Sequence, residues 1–164
     1  MPDQLLISDA NIIIDMEVAE LTDLMFSLPY EYMTPNSLFE EELHDLHDDL
    51  VEKGLRLETL TPKLIKRVQI LSEKYDGLSN HDLSAMALAE DKDVPLLTGD
   101  GKLRQVCLEE GVDVRGTLWL MDQFFSAGLI SVVDAEKAYA RMEEDGSRLP
   151  WGEVKKQIKE FKKR

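Results

Sequence analysis

The chain has 164 residues, is 43% hydrophobic and 32% charged, and carries a formal net charge of −14. That length is one domain's worth, and the apolar fraction excludes a wholly disordered chain. No apolar run approaches the roughly 18 residues of a membrane-spanning helix. A single cysteine, Cys107, excludes an intrachain disulfide framework and leans towards a reducing compartment. The opening MPDQLLISD lacks the basic start and long apolar stretch of a signal peptide, so a cytoplasmic protein is expected.

The charge is uneven. The last 14 residues hold six basic and two acidic side chains, so residues 1–150 carry 13 basic against 31 acidic, a net of −18. Such a body repels nucleic acid at long range. A phosphate-bearing substrate would have to be met by metal ions or by a local basic patch.

In chain order, 5–8 (LLIS) reads as a buried strand, 11 to around 26 as a helix, and 30–33 as a second short strand. Thr34-Pro35 is expected to open a helix, with Thr as N-cap and Pro at the first helical position. Leu38, Phe39, Leu43, Leu46 and Leu50 form its apolar stripe. Residues 55–60 alternate and read as strand, and Thr61-Pro62 opens a helix that ends before Asp76-Gly77. Ser79-Asn80-His81-Asp82 has the pattern of a capping box at the start of a helix carrying Leu83, Met86, Ala87 and Ala89. Residues 94–98 (VPLLT) form a short strand closed by Gly99-Asp100-Gly101, then 102–110 is helical and 112–115 a last short strand. Two helices follow over 117–127 and 133–144, and 151–161 reads as an exposed or partner-seeking amphipathic helix. Strands alternating with helices give an α/β fold, a parallel sheet with helices on both faces. Sites in such sheets lie beyond the carboxyl ends of the strands.

Three acids fall where that rule expects a site. Asp9 directly follows the first strand, Asp100 follows the VPLLT strand, and Asp82 opens the helix before it. The triplet Glu40-Glu41-Glu42 supplies a fourth. Helical phase puts Glu42 beside the apolar stripe, with Glu41 the alternative register. Each acid also has a plain structural reading: a helix cap for Asp9 and Asp82, a turn for Asp100, a solvated face for the triplet. Those readings must all hold at once, which weakens them jointly. Four converging carboxylates repel one another and take up protons. A hard divalent cation, Mg²⁺ or Mn²⁺, removes that repulsion, and it suits hydrolysis of a phosphodiester.

These residues resemble a known family. Ile7-Ser8-Asp9-Ala10-Asn11, Thr34-Pro35 with Glu42-Leu43, Leu78 to Asp82 with Ala87-Leu88-Ala89, and Leu97-Thr98-Gly99-Asp100 with Leu103 are similar, in that order, to the four motifs of PIN-domain nucleases. Gly116-Thr117-Leu118-Trp119 and Gly128-Leu129-Ile130 are similar to a stand-alone prokaryotic branch, and the resemblance spans residues 4–130. It implies a three-layer α/β/α sandwich with a central, mostly parallel sheet. With the charge pattern of the tail, the chain is expected to divide into a PIN-like domain over 1–145 and a basic helical extension over 146–164. The resemblance implies Mg²⁺- or Mn²⁺-dependent cleavage of RNA, with Asp9, Glu42, Asp82 and Asp100 holding the metal and Asn11 and Thr98 orienting them. It also implies a homodimer and, as in the toxin halves of toxin–antitoxin pairs, a cognate antitoxin as partner. Lys102, Arg104, Arg115 and the basic tail are the nearest candidates for phosphate contacts.

Other readings compete. One is a PIN-like module that binds RNA or a protein without cutting. Another is a phosphoacceptor domain, disfavoured because Asp9 has no acidic neighbour at 8 or 10. A phosphohydrolase using Asp-x-Asp is disfavoured because position 11 is Asn. His44 and His47 beside Asp48 read as a solvated face, His81 as a polar residue at a helix start, and Cys107 as a core thiol. Trp119, Phe124 and Phe125 read as core or dimer contact.

Overall fold

The structure, a computed structural model, describes residues 4–44 and 49–164. Five strands form one parallel sheet: β1 (Gln4–Ser8), β2 (Tyr30–Pro35), β3 (Arg56–Glu58), β4 (Leu96–Leu97) and β5 (Val114–Arg115), in the order β3-β2-β1-β4-β5. Register is set by pairs such as Leu6 with Tyr32 and Ser8 with Leu97. Leu6, Ile7, Leu96 and Leu97 are fully buried, as expected of a parallel sheet covered on both faces. From β1 the chain builds outward to β2 and β3. It then returns to the other side of β1 for β4 and β5. The topological switch point therefore lies between the ends of β1 and β4, where Asp9 N–H donates to the Leu97 carbonyl at 3.0 Å.

The helices complete a three-layer α/β/α sandwich. They are α1 (Ala10–Val18), α2 (Thr22–Ser27), α3 (Asn36–Leu38, continuing into a π-helical turn over Phe39–Leu43), α4 (Leu50–Lys53), α5 (Pro62–Lys74), α6 (Asn80–Lys92), α7 (Gly101–Glu110), α8 (Thr117–Ser126), α9 (Val132–Glu144) and α10 (Trp151–Lys163). Helix α6 packs on β1, β2 and β4, with α5 against it. Its buried Ser84, Ala85, Ala87 and Ala89 are small, which lets its backbone approach the sheet. Leu83, Met86 and Leu88 fill the rest, each worth about 1.5–3 kcal/mol of burial. Across α5, α6 and α7, Arg67 bonds both carboxylate oxygens of Glu90 and reaches Glu110 at 2.8 Å. Among the described residues no helix is long and apolar enough to cross a membrane.

Four expectations need correction. The helix over 11–26 is two helices. Glu20 takes a left-handed φ of 60°, and the Thr22 hydroxyl caps back to Glu17 at 2.8 Å. Thr34-Pro35 ends β2 instead of opening a helix. Thr34 is fully buried and donates to the Ser8 carbonyl at 3.1 Å, so its hydroxyl serves the sheet. The helix that follows is not uniform: the π turn places the His44 N–H on the Phe39 carbonyl. One residue is thereby inserted into the helical phase, and Glu40, Glu41 and Glu42 are all exposed, so Glu42 does not border the buried stripe as phase predicts. Leu38, Phe39, Leu43 and Leu50 of the stripe are buried, while Leu46 and His47 lie outside the described residues. Finally, α10 is amphipathic but lays its apolar side on its own chain. Val154 and Phe161 are buried, and Phe161 stacks on Phe125 with ring centroids 4.1 Å apart. Gln157 donates to the Leu118 carbonyl at 2.7 Å.

Candidate active site

The site grows from the ends of β1 and β4. Asp9 is the first residue past β1 and caps α1, accepting from the Ile12 N–H at 3.0 Å. Thr98, fully buried past β4, donates its hydroxyl to the other Asp9 oxygen and accepts the Asp100 N–H at 3.1 Å. Asp100 caps α7 through the Leu103 N–H at 2.9 Å. One hydroxyl thus joins the first acid to the last.

Asp9 is only 2% exposed. Burial pushes its carboxyl up to about 7, against the pull of the Thr98 and Ile12 hydrogen bonds, and the charges of Asp82 and Asp15 push the same way. Among the described residues it makes no ion pair. Asp82 sits in the capping box of α6, its backbone N–H bonded to the Ser79 hydroxyl at 3.1 Å and its carboxylate to the Ser79 N–H at 3.2 Å. Its charge also bears on Glu42. Glu42 is raised above the usual carboxylate range by partial burial first, then by Asp82 and Glu41, with His81 opposing. Glu41 itself is paired with His81 at 2.6 Å. Asp9 and Asp82 each cap a helix, and a cap fixes a carboxylate without using all its oxygen lone pairs.

Asn11 is exposed and lines a cavity of about 570 Å³ with Asp15, Asp100, Asp145 and Arg148. Asp15 was not among the sequence candidates. Burial raises its carboxyl, while Ser147 at 2.7 Å and Thr117 at 3.4 Å donate to it. Its signal was an acid inside the apolar run of ANIIIDMEV, four residues after Asn11 and so on the same helical face. Arg148 comes from the loop after α9 and left no local signal.

A family model described as a PIN domain matches residues 5–163. The chain belongs to the PIN-domain family. No curated protein matches it. PIN domains are nuclease-type proteins and generally depend on divalent metal. In this PIN domain the donors suit such an ion in kind: oxygen donors only, one of them a buried carboxyl that makes no ion pair among the described residues. Among the described residues no three His, Cys, Asp or Glu side chains form a ready cage. Mg²⁺ asks for less, since it keeps several waters and is commonly held by one or two carboxylates. The remaining candidates take structural places. Cys107 is fully buried with its thiol pushed up to about 12. Phe124 is buried, and Trp119 lies tilted against Tyr30 at 5.3 Å. Arg115 pairs with Asp113 at 2.8 Å.

Proposed function

We propose that this PIN domain is an endoribonuclease that hydrolyses RNA phosphodiesters with Mg²⁺ or Mn²⁺. One observation carries the reading: a carboxyl buried at the switch point, tied through the Thr98 hydroxyl to a second acid, Asp100, and making no ion pair among the described residues. Asp9, Asp82, Asp100 and Glu42 would hold the ion, which when bound supplies positive charge to the phosphoryl oxygens and acidifies a water. Thr98 fixes the rotamers of Asp9 and the turn at Asp100. We assign to Glu42, the member that solvent reaches most readily and whose carboxyl is raised by the groups packed around it, the acceptance of the proton from the attacking water. Asn11, which lines the cavity that holds Asp100, would help to orient the acids. A second copy of the chain and an inhibitory antitoxin protein are the partners this reading expects.

A second reading, a non-catalytic module for RNA or a protein, draws support from the lack of a ready three-ligand group among the described residues. The deciding experiment is cleavage of labelled single-stranded RNA in Mg²⁺, Mn²⁺ or EDTA by wild type and Asp100→Asn. Asn still caps a helix, so the variant keeps its fold. Metal-dependent cleavage that the variant loses supports the nuclease. Full cleavage by a variant preparation free of contaminating nuclease overturns the site. Metal binding without cleavage by wild type moves the assignment to the binding module.

A further inference from the structure

The net charge of −14 makes one feature of the surface unexpected. Past the carboxyl ends of β4 and β5 lies a cavity of about 640 Å³ whose walls carry Arg104, Arg115 and Arg148. Glu153 is the one acid in those walls, and it already has Lys156 at 3.2 Å. Arg115 is committed to Asp113, and its guanidinium lies over the Trp119 ring, 5.0 Å from the centroid. Arg104 and Arg148 make no ion pair among the described residues, although acids outnumber bases across the chain.

Arg104 is nevertheless held in place. Its guanidinium lies across Gly116, where a Cβ would come within 2.8 Å of a guanidinium nitrogen. It also makes a long, 3.5 Å bond to the Thr98 carbonyl. Thr98 is the residue that joins Asp9 to Asp100, so this arginine is anchored one residue from the acids. Gly99 and Arg148 line both this cavity and the one that holds Asn11, Asp15 and Asp100. The acidic and basic cavities therefore share a wall.

We propose that the arginine cavity is a phosphate-binding subsite for single-stranded RNA. It receives backbone phosphates on one side of the bond held at the acids, with Arg104 and Arg148 as their ligands. The proposal rests on the nuclease reading for its choice of polyanion. An acidic body has to concentrate its cations where the strand lies. Two unpaired guanidinium forks beside the acids do that, since arginine binds phosphate through paired N–H donors.

The test is binding of dye-labelled oligouridylate in EDTA, followed by anisotropy across a salt series, for wild type and Arg104→Ala/Arg148→Ala. Cleavage kinetics in Mg²⁺ run alongside. Both side chains are exposed, and an unchanged thermal midpoint confirms the fold. The expected result is affinity weaker by about tenfold per arginine. The slope of log K against log salt should fall by about 0.7 per arginine, and KM should rise with kcat held. The paired Arg→Lys variants should restore most of the slope. Unchanged affinity and slope in the alanine variant overturn the proposal, as does a wild type that does not bind the oligouridylate. With labelled poly-glutamate as a second probe, binding that the alanine variant loses while its RNA binding stays intact also overturns it, in favour of an acidic protein segment as occupant. A wild type that binds through these arginines but never cleaves removes the nuclease reading and leaves the subsite. A wild type that cleaves, with a variant that binds and cleaves equally well, does the reverse.

Discussion

The Thr98 hydroxyl donates to Asp9 across 89 positions of sequence, and the same oxygen accepts the Asp100 N–H. The threonine is fully buried and Asp9 is 2% exposed, so the Asp9 carboxyl has no water as a substitute. Thr98→Val keeps the shape and removes both bonds. An unpaired buried polar group costs about 1–3 kcal/mol, and the variant should lose that much in urea unfolding. Without its donor, Asp9 should also hold its proton to higher pH, which a carboxyl-carbon NMR titration reads directly. Thr98→Ser, which keeps the hydroxyl, should fall close to wild type in both measurements.

Asp9 makes stability depend on pH in a direction opposite to most carboxylates. Its carboxyl moves from 3.8 to about 7 on folding, so between those values the folded state holds a proton that the unfolded state has released. Stability from this group is complete below about pH 4 and declines until about pH 7, by about 4 kcal/mol. Asp9→Asn keeps the cap on Ile12 and has no charge to bury. Measured in EDTA, the variant should match wild type near pH 4 and exceed it at about pH 8. Added Mg²⁺ should narrow that gap by stabilising only the wild type. A gap that does not change with pH would refute the assignment of the buried charge to Asp9.

Glu110 works with the opposite sign. The Lys74 ammonium first, then the Tyr75 hydroxyl and Arg67, hold its carboxyl at about 2, below the ordinary 4.5. Its side chain is 11% exposed, with Arg67 and Lys74 at 2.8 and 2.7 Å. The stabilisation is present above 4.5 and is lost as pH falls through 2. Glu110→Gln should cost about 1–2 kcal/mol at neutral pH. The difference from wild type should vanish in unfolding curves taken near pH 2.

The acids at the strand ends were legible because each belongs to a local signal: a strand stop at Asp9, a capping box at Asp82, a turn at Asp100. Those signals are read over a few residues, and the sheet does the rest by bringing strand ends together. The helix break at Glu20 was not legible, since its left-handed backbone has neither glycine nor proline to announce it. Pro35 misled for a related reason. Its fixed φ suits a strand end as well as a first helical turn, and only the buried Thr34–Ser8 bond decides between them. The π turn shifts phase by one residue, which no 3.6-residue pattern encodes. Arg148 joins the site from the far end of α9. That is a contact of tertiary packing alone, and a single sequence carries no trace of it.

The chain's last helix gives the final prediction. Phe161 is 1% exposed and stacks on Phe125 within 9° of parallel, and Arg164 reaches Asp122 on the same helix at 3.1 Å. A phenylalanine in that position contributes as core residues do. Phe161→Ala should cost about 3–5 kcal/mol, a large fraction of the stability of a domain this size. The division proposed from sequence, a domain over 1–145 with an extension over 146–164, is tested by the same unfolding curve. Because α10 buries Val154 and Phe161 against α8 and α9, we expect one transition, shifted as a whole by the substitution. Two transitions, of which Phe161→Ala moves only the weaker, would instead make residues 146–164 a separately melting unit.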